Sequence, residues 1–112
     1  MKSVLIIDDE PDMRFALKEA MSRFGFNPTT YRDPVEVLSN VNLSNFSLII
    51  TDVKMPKMDG LQFLSEIRKK GIFTPVIVIT GYGNVEDAVK AMKLGAVDYI
   101  LKPFSMETLK SL

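Results

Sequence analysis

The strongest constraint in this chain is a set of short, uninterrupted apolar runs separated by segments of helical period. Val4–Ile7, Leu48–Ile50, Val76–Ile79 and Tyr99–Leu101 contain no alternating polar residues. A strand with one wet face alternates, whereas a continuous apolar run is covered on both faces, as in a parallel sheet. A more polar stretch, Pro28–Tyr31, falls where another strand is expected. Its proline suits the edge of a sheet, where a missing N–H breaks no inner ladder.

Between these runs lie helical patterns. Met13, Ala16, Leu17, Ala20, Met21 and Phe24 recur at helical spacing, and Gly25 follows as a stop. A weaker helix is expected from about Pro34 to Val41. A third begins after Asp59-Gly60, with Asp59 as its cap and Leu61, Leu64 and Ile67 on one face. A fourth carries Val85, Ala88, Val89 and Met92 and ends at Gly95. A fifth would start at Ser105, with Met106 and Leu109 on its apolar side. Only Ser105–Leu112 remain to form it, a marginal length that reads as a shortened last helix. In order, this is strand then helix, repeated. Right-handed crossovers fold such a chain into an α/β doubly wound parallel sheet with helices on both faces.

The 112 residues suffice for one core and one domain. Fourteen basic and fourteen acidic side chains cancel, so bulk charge points to neither nucleic acid nor a membrane surface. Cysteine and histidine are absent, which excludes disulfides, thiolate nucleophiles, and Ser-His or Cys-His catalysis. After Lys2 the apolar run is short and ends in acid, which suits neither export nor membrane spanning. A cytoplasmic location is the expectation.

Ligands of open α/β sheets gather beyond the carboxyl ends of the strands. The residues due there are Asp8 and Asp9, Asp52, Thr80 before Gly81, and Lys102 before Pro103. Three carboxylates this close raise one another's pKa, and a divalent cation removes the conflict. Oxygen ligands without His or Cys suit Mg²⁺, whose free positions receive phosphate oxygens. Lys102 would neutralise a further oxygen and Thr80 donate to another. That is equipment for phosphoryl transfer, in which a carboxylate can itself be the nucleophile. The plainer reading of Asp8, Asp9 and Glu10 is a charged helix start, and Glu10 is assigned to capping or solvent.

These residues resemble the receiver domain of two-component response regulators over effectively the whole length. The matching stretches are IIDDE, TDVKMPKMDG, VIVITGYG and GAVDYILKPF. The resemblance implies a flavodoxin-like fold, a five-stranded sheet of order 2-1-3-4-5. It implies that Asp52 is the phospho-acceptor, with Mg²⁺ held by Asp9 and Asp52, Asp8 helping through water, and the Lys54 backbone carbonyl. Lys102 would bind the phosphoryl group, with a cis peptide before Pro103, and Thr80 and Tyr99 would form a switch. A histidine kinase would be the donor, and self-catalysed phosphorylation and slow hydrolysis the only chemistry. Residues 1–112 would be a receiver domain excised from a longer regulator with an attached output domain. The stretch TGYGNVEDAVKAMKLGAVDYILKPF is most like the nitrogen-regulator type joined to enhancer-binding activators, and is also similar to receivers joined to helix-turn-helix output domains. By the same resemblance, the fourth helix, fifth strand and fifth helix form the output face and a homodimer surface. No nucleic-acid binding is credited to this domain.

Three other classes compete. A Mg²⁺-dependent phosphohydrolase with an aspartyl-phosphate usually has a carboxylate two residues beyond the nucleophile, and here Lys54 stands there. A flavin carrier needs a phosphate-cradling loop after the first strand, where DDEPD would repel phosphate. A receiver-like scaffold that is never phosphorylated need not retain all the site residues.

Overall fold

The computed structural model of the chain describes residues 2–81, 85–102 and Thr108. The fifth helix expected from Ser105, the Tyr82-Gly83 loop and the Lys102–Pro103 peptide bond lie outside the described residues. The strands are β1 (Ser3–Ile7), β2 (Asn27–Tyr31), β3 (Leu48–Asp52), β4 (Val76–Thr80) and β5 (Asp98–Leu101). The helices are α1 (Pro11–Arg23), α2 (Pro34–Asn40), α3 (Gly60–Lys69) and α4 (Val85–Lys93). All strand pairs are parallel, and the order across the sheet is β2-β1-β3-β4-β5. The polar, proline-bearing strand takes an edge.

The apolar runs are explained by two cores, one on each face. Leu5 and Ile7 point into a cluster with Val37 of α2, Phe63, Leu64 and Ile67 of α3, and Ala91 of α4. Val4 and Ile6 point the other way, onto Leu17, Ala20 and Met21 of α1. Alternate residues of one strand thus enter different cores, so neither parity is free to be polar. All four are fully buried, and burying such a side chain contributes at most about 1.5–3 kcal/mol.

Local chemistry sets the helix ends. Asp59 and Gln62 form a reciprocal capping box at α3, with Oδ1 accepting from the Gln62 N–H at 2.8 Å and Oε1 from the Asp59 N–H at 2.9 Å. Asp33 caps α2 in the same way, accepting from the Glu36 N–H at 2.9 Å. Gly25 and Gly95 follow their helices at φ of 91° and 98°, a region that penalises any Cβ. Helix α2 ends one residue before Val41, which is already extended (φ −122°, ψ 134°). A 3-10 turn over Leu43–Asn45, started by Asn42 accepting from the Ser44 N–H, was not visible in the periodicity.

Candidate acidic site at the carboxyl edge

Backbone bonds carry the ladders one step past the strand ends and so fix where the polar side chains emerge. The Asp8 N–H donates to the Tyr31 carbonyl at 3.1 Å, Val53 to Ile79 at 3.1 Å, and Lys102 to Thr80 at 3.0 Å. Asp8, Asp52, Thr80 and Lys102 thereby reach one edge of the sheet from four different strands. Asp8 and Thr80 are fully buried and Asp52 is nearly so.

Asp52 is held from two sides. Its Oδ1 accepts from the Val53 N–H at 2.8 Å, and its Oδ2 accepts from Lys102 Nζ at 3.2 Å. The loop after it closes on Gly60, whose N–H donates to the Val53 carbonyl at 2.9 Å. A Cβ at Gly60 would press on the Asp52 carbonyl oxygen and stand 3.2 Å from Val53 Cα. Only glycine lets α3 begin this close to the strand end. Outside the contact, Lys54 reaches Asp87 of α4 (4.0 Å) and Lys57 reaches Asp33 of α2 (3.9 Å).

Asp8 is held differently. Its Oδ1 accepts from the Glu10 N–H at 2.9 Å, and its backbone carbonyl accepts from Arg14 Nη1 at 2.8 Å. Its Oδ2 is buried without a hydrogen-bond partner among the described residues, as is the Thr80 hydroxyl. Buried groups of this kind call for a water, an ion or a ligand as partner. One carboxylate oxygen from each of Asp8, Glu10 and Asp52 lies within 4.8 Å of the others. An all-oxygen, all-anionic donor set with an unpaired buried oxygen fits a hard divalent cation.

The electrostatics agree with that fit. Burial pushes the Asp8 carboxyl up to about 6, aided by the charge of Asp52 and opposed by the Glu10 N–H. Burial likewise raises Asp52, against the lowering effect of Lys102. Burial lowers the Lys102 ammonium, yet Asp52, Asp8 and Glu10 together carry it above its ordinary value.

A family model described as the response regulator receiver domain matches residues 4–112. The chain belongs to the response regulator receiver family. A putative NtrX-like response regulator of Rickettsia bellii is 40% identical over 95% of the chain and 23% of its own length. The DNA-binding transcriptional regulator NtrC of Escherichia coli is 34% identical over 93% of the chain and 22% of its own length. The receiver domain of NtrX from Brucella abortus superposes with a TM-score of 0.87 at 36% identity, over 95% of this chain and 90% of that one. The nitrogen-regulator likeness of the sequence is therefore found among its relatives. The receiver spans about half or less of the length of the curated relatives it matches.

In this receiver, Asp8, Asp52, Thr80 and Lys102 converge as their strand-end positions imply. Asp9 is half-buried and outside the group of close oxygens. It lines a shallow depression with Lys54, Met55, Pro56 and Asp59, and its charge is felt at Asp52. Tyr99 is 38% exposed. Glu10, read as capping or solvated, is exposed but also lies beside the acidic group. It occupies the N-cap of α1 but makes no side-chain cap bond, and its Oε1 stands 3.6 Å from Lys102 Nζ. The signal was the run of three acids in DDE, where a helix start needs one. Gly60 was read only as a helix start, although its distance from Asp52 governs the loop between them.

Proposed function

We propose that this domain is a phosphorylation-controlled switch, with Asp52 as phospho-acceptor. The observation that carries the reading is the state of Asp52, a buried carboxylate gripped by Lys102 beside an Asp8 Oδ2 that has no partner among the described residues. Asp8, Asp9, Asp52 and the Lys54 carbonyl would hold Mg²⁺. The cation, when bound, supplies charge neutralisation for the carboxylates and for phosphoryl oxygens.

Oδ1 of Asp52 is committed to the Val53 N–H, so Oδ2 is the attacking atom. It forms the new P–O bond as the P–N bond of a phosphohistidine on a kinase breaks, and the electron pair returns to the donor imidazole. Lys102, already on Oδ2, then passes to a phosphoryl oxygen. The Thr80 hydroxyl, without a partner among the described residues and at the same edge, donates to another. Positioned donors of this kind account for most of the catalysis in phosphoryl transfer. The movement of Thr80 leaves room for Tyr99 to turn inward. That biases the outer face of α4 and β5, where Val85, Val89, Met92 and Leu101 are exposed. In the full-length cytoplasmic regulator this face serves a homodimer and an attached transcriptional effector.

The hydrolase alternative is disfavoured by Lys54, which occupies the expected position of a general acid and pairs outward with Asp87. Turnover separates the two readings. The purified domain with Mg²⁺ should take up one phosphoryl group per chain from acetyl phosphate and release it slowly. Many cycles of phosphomonoester hydrolysis per chain would reject the switch.

A further inference from the structure

We propose that Glu10 is a positioning residue, a place-holder that occupies the phosphoryl side of Lys102 until a phosphoryl group displaces it. The inference rests on the reading of Asp52 as acceptor and adds a residue to it. Glu10 begins α1 in extended conformation (φ −90°, ψ 119°), where a shorter side chain would turn back to cap the helix. It does not cap. Its backbone is pinned from both sides, with its N–H on Asp8 Oδ1 at 2.9 Å and its carbonyl accepting from the Arg14 N–H at 3.0 Å. The side chain is left to reach over the mouth of the site, toward Lys102.

There it meets Lys102. The ammonium lies 3.2 Å from Asp52 Oδ2 and 3.6 Å from Glu10 Oε1, with side-chain exposures of 14% for Lys102, 4% for Asp52 and 64% for Glu10. Exposure rises from the buried acceptor to Glu10, yet the groups stay clustered, with a Glu10 oxygen within 4.8 Å of one on Asp52. A phosphoryl group carried by Asp52 therefore needs the space and the side of the ammonium that Glu10 holds. In the resting site Glu10 keeps the long lysine side chain ordered over Asp52. When a phosphoryl group arrives, its like charge expels Glu10 and takes over the ammonium. A place-holder of this kind opposes loading at low donor concentration without touching the bond-making step.

The test compares Glu10→Gln with Asp12→Asn, which removes a charge from the same helical turn at an exposed position. Phosphoryl uptake from acetyl phosphate is followed by intact mass over a range of donor and Mg²⁺ concentrations. Glu10→Gln should lower the half-saturating donor concentration about two- to fivefold, the range of an exposed ion pair. The maximal rate and the Mg²⁺ requirement should hold, and Asp12→Asn should change nothing. An equal gain in Asp12→Asn would overturn the proposal in favour of long-range charge. A raised Mg²⁺ requirement in Glu10→Gln, with donor dependence unchanged, would overturn it in favour of a cation ligand. A second readout needs no phosphorylation. The Lys102 ammonium resonance in the donor-free protein should move in Glu10→Gln and stay in Asp12→Asn, and an unmoved resonance also overturns the proposal. Absence of uptake by the unmodified domain would reject the acceptor reading, and the resonance would still decide the contact.

Discussion

Replacing Asp8 by Asn should stabilise the cation-free protein at neutral and alkaline pH, although Asp8 is one of its most buried residues. Burial holds the Asp8 carboxyl at about 6 against an ordinary value of 3.8. Between those two values the folded protein keeps a proton that the unfolded chain has released. Stability is therefore full below about pH 4 and falls as pH rises through about 6. At 1.36 kcal/mol per pH unit, the charged form costs on the order of 3 kcal/mol near pH 8. Asn keeps an acceptor for the Glu10 N–H and carries no charge. It also puts an amide donor where Oδ2 has no partner among the described residues, which returns about 1–2 kcal/mol of the gain. A net stabilisation of about 1–2 kcal/mol near pH 8 remains, and it should vanish near pH 4.5. Asp52, raised in the same direction, leaves a residual pH slope in the variant. Urea unfolding in a chelator at the two pH values measures the difference. Added Mg²⁺ should reverse the order, because a ligand of the folded state stabilises only the form that binds it. A variant less stable near pH 8, or equally stabilised at both pH values, would refute the reasoning.

Two further substitutions probe the same edge. Gly60→Ala forces a Cβ to within 3.0 Å of the Asp52 carbonyl carbon. It should cost about 2–4 kcal/mol in chemical denaturation and slow phosphoryl uptake, because the acceptor loop must shift. Thr80→Val removes a hydroxyl with no partner among the described residues. It should raise stability by about 1 kcal/mol while abolishing any phosphorylation-dependent change at Tyr99, read by chemical shifts.

The sheet was legible because its strands serve two cores at once. Val4 to Ile7 alternate between clusters, and no polar residue fits that pattern. The Asp59 cap of α3 was legible too, though not the reciprocal bond from Gln62. The turn at Leu43–Asn45 was not, since a single Asn42 cap carries no periodicity. At the site, the strand-end rule placed Asp8, Asp52, Thr80 and Lys102 on one edge. It said nothing about partners distant in sequence. The Lys57–Asp33 and Lys54–Asp87 pairs depend on how neighbouring loops approach. So does Arg68, whose guanidinium ties the carbonyls of Ile72, Thr74 and Gly95 at the opposite edge. Glu10, read as capping or solvated, takes the N-cap backbone position with an exposed side chain, but its closeness to Lys102 depends on a partner distant in sequence.

The most direct measurement of whether Asp52 is the acceptor is intact mass after incubation with acetyl phosphate and Mg²⁺. The unmodified domain should gain one phosphoryl group, and chelation should abolish the gain. Asp52→Asn, which keeps the shape and the Val53 contact, should gain nothing. A full gain in Asp52→Asn would mean that another residue carries the phosphoryl group.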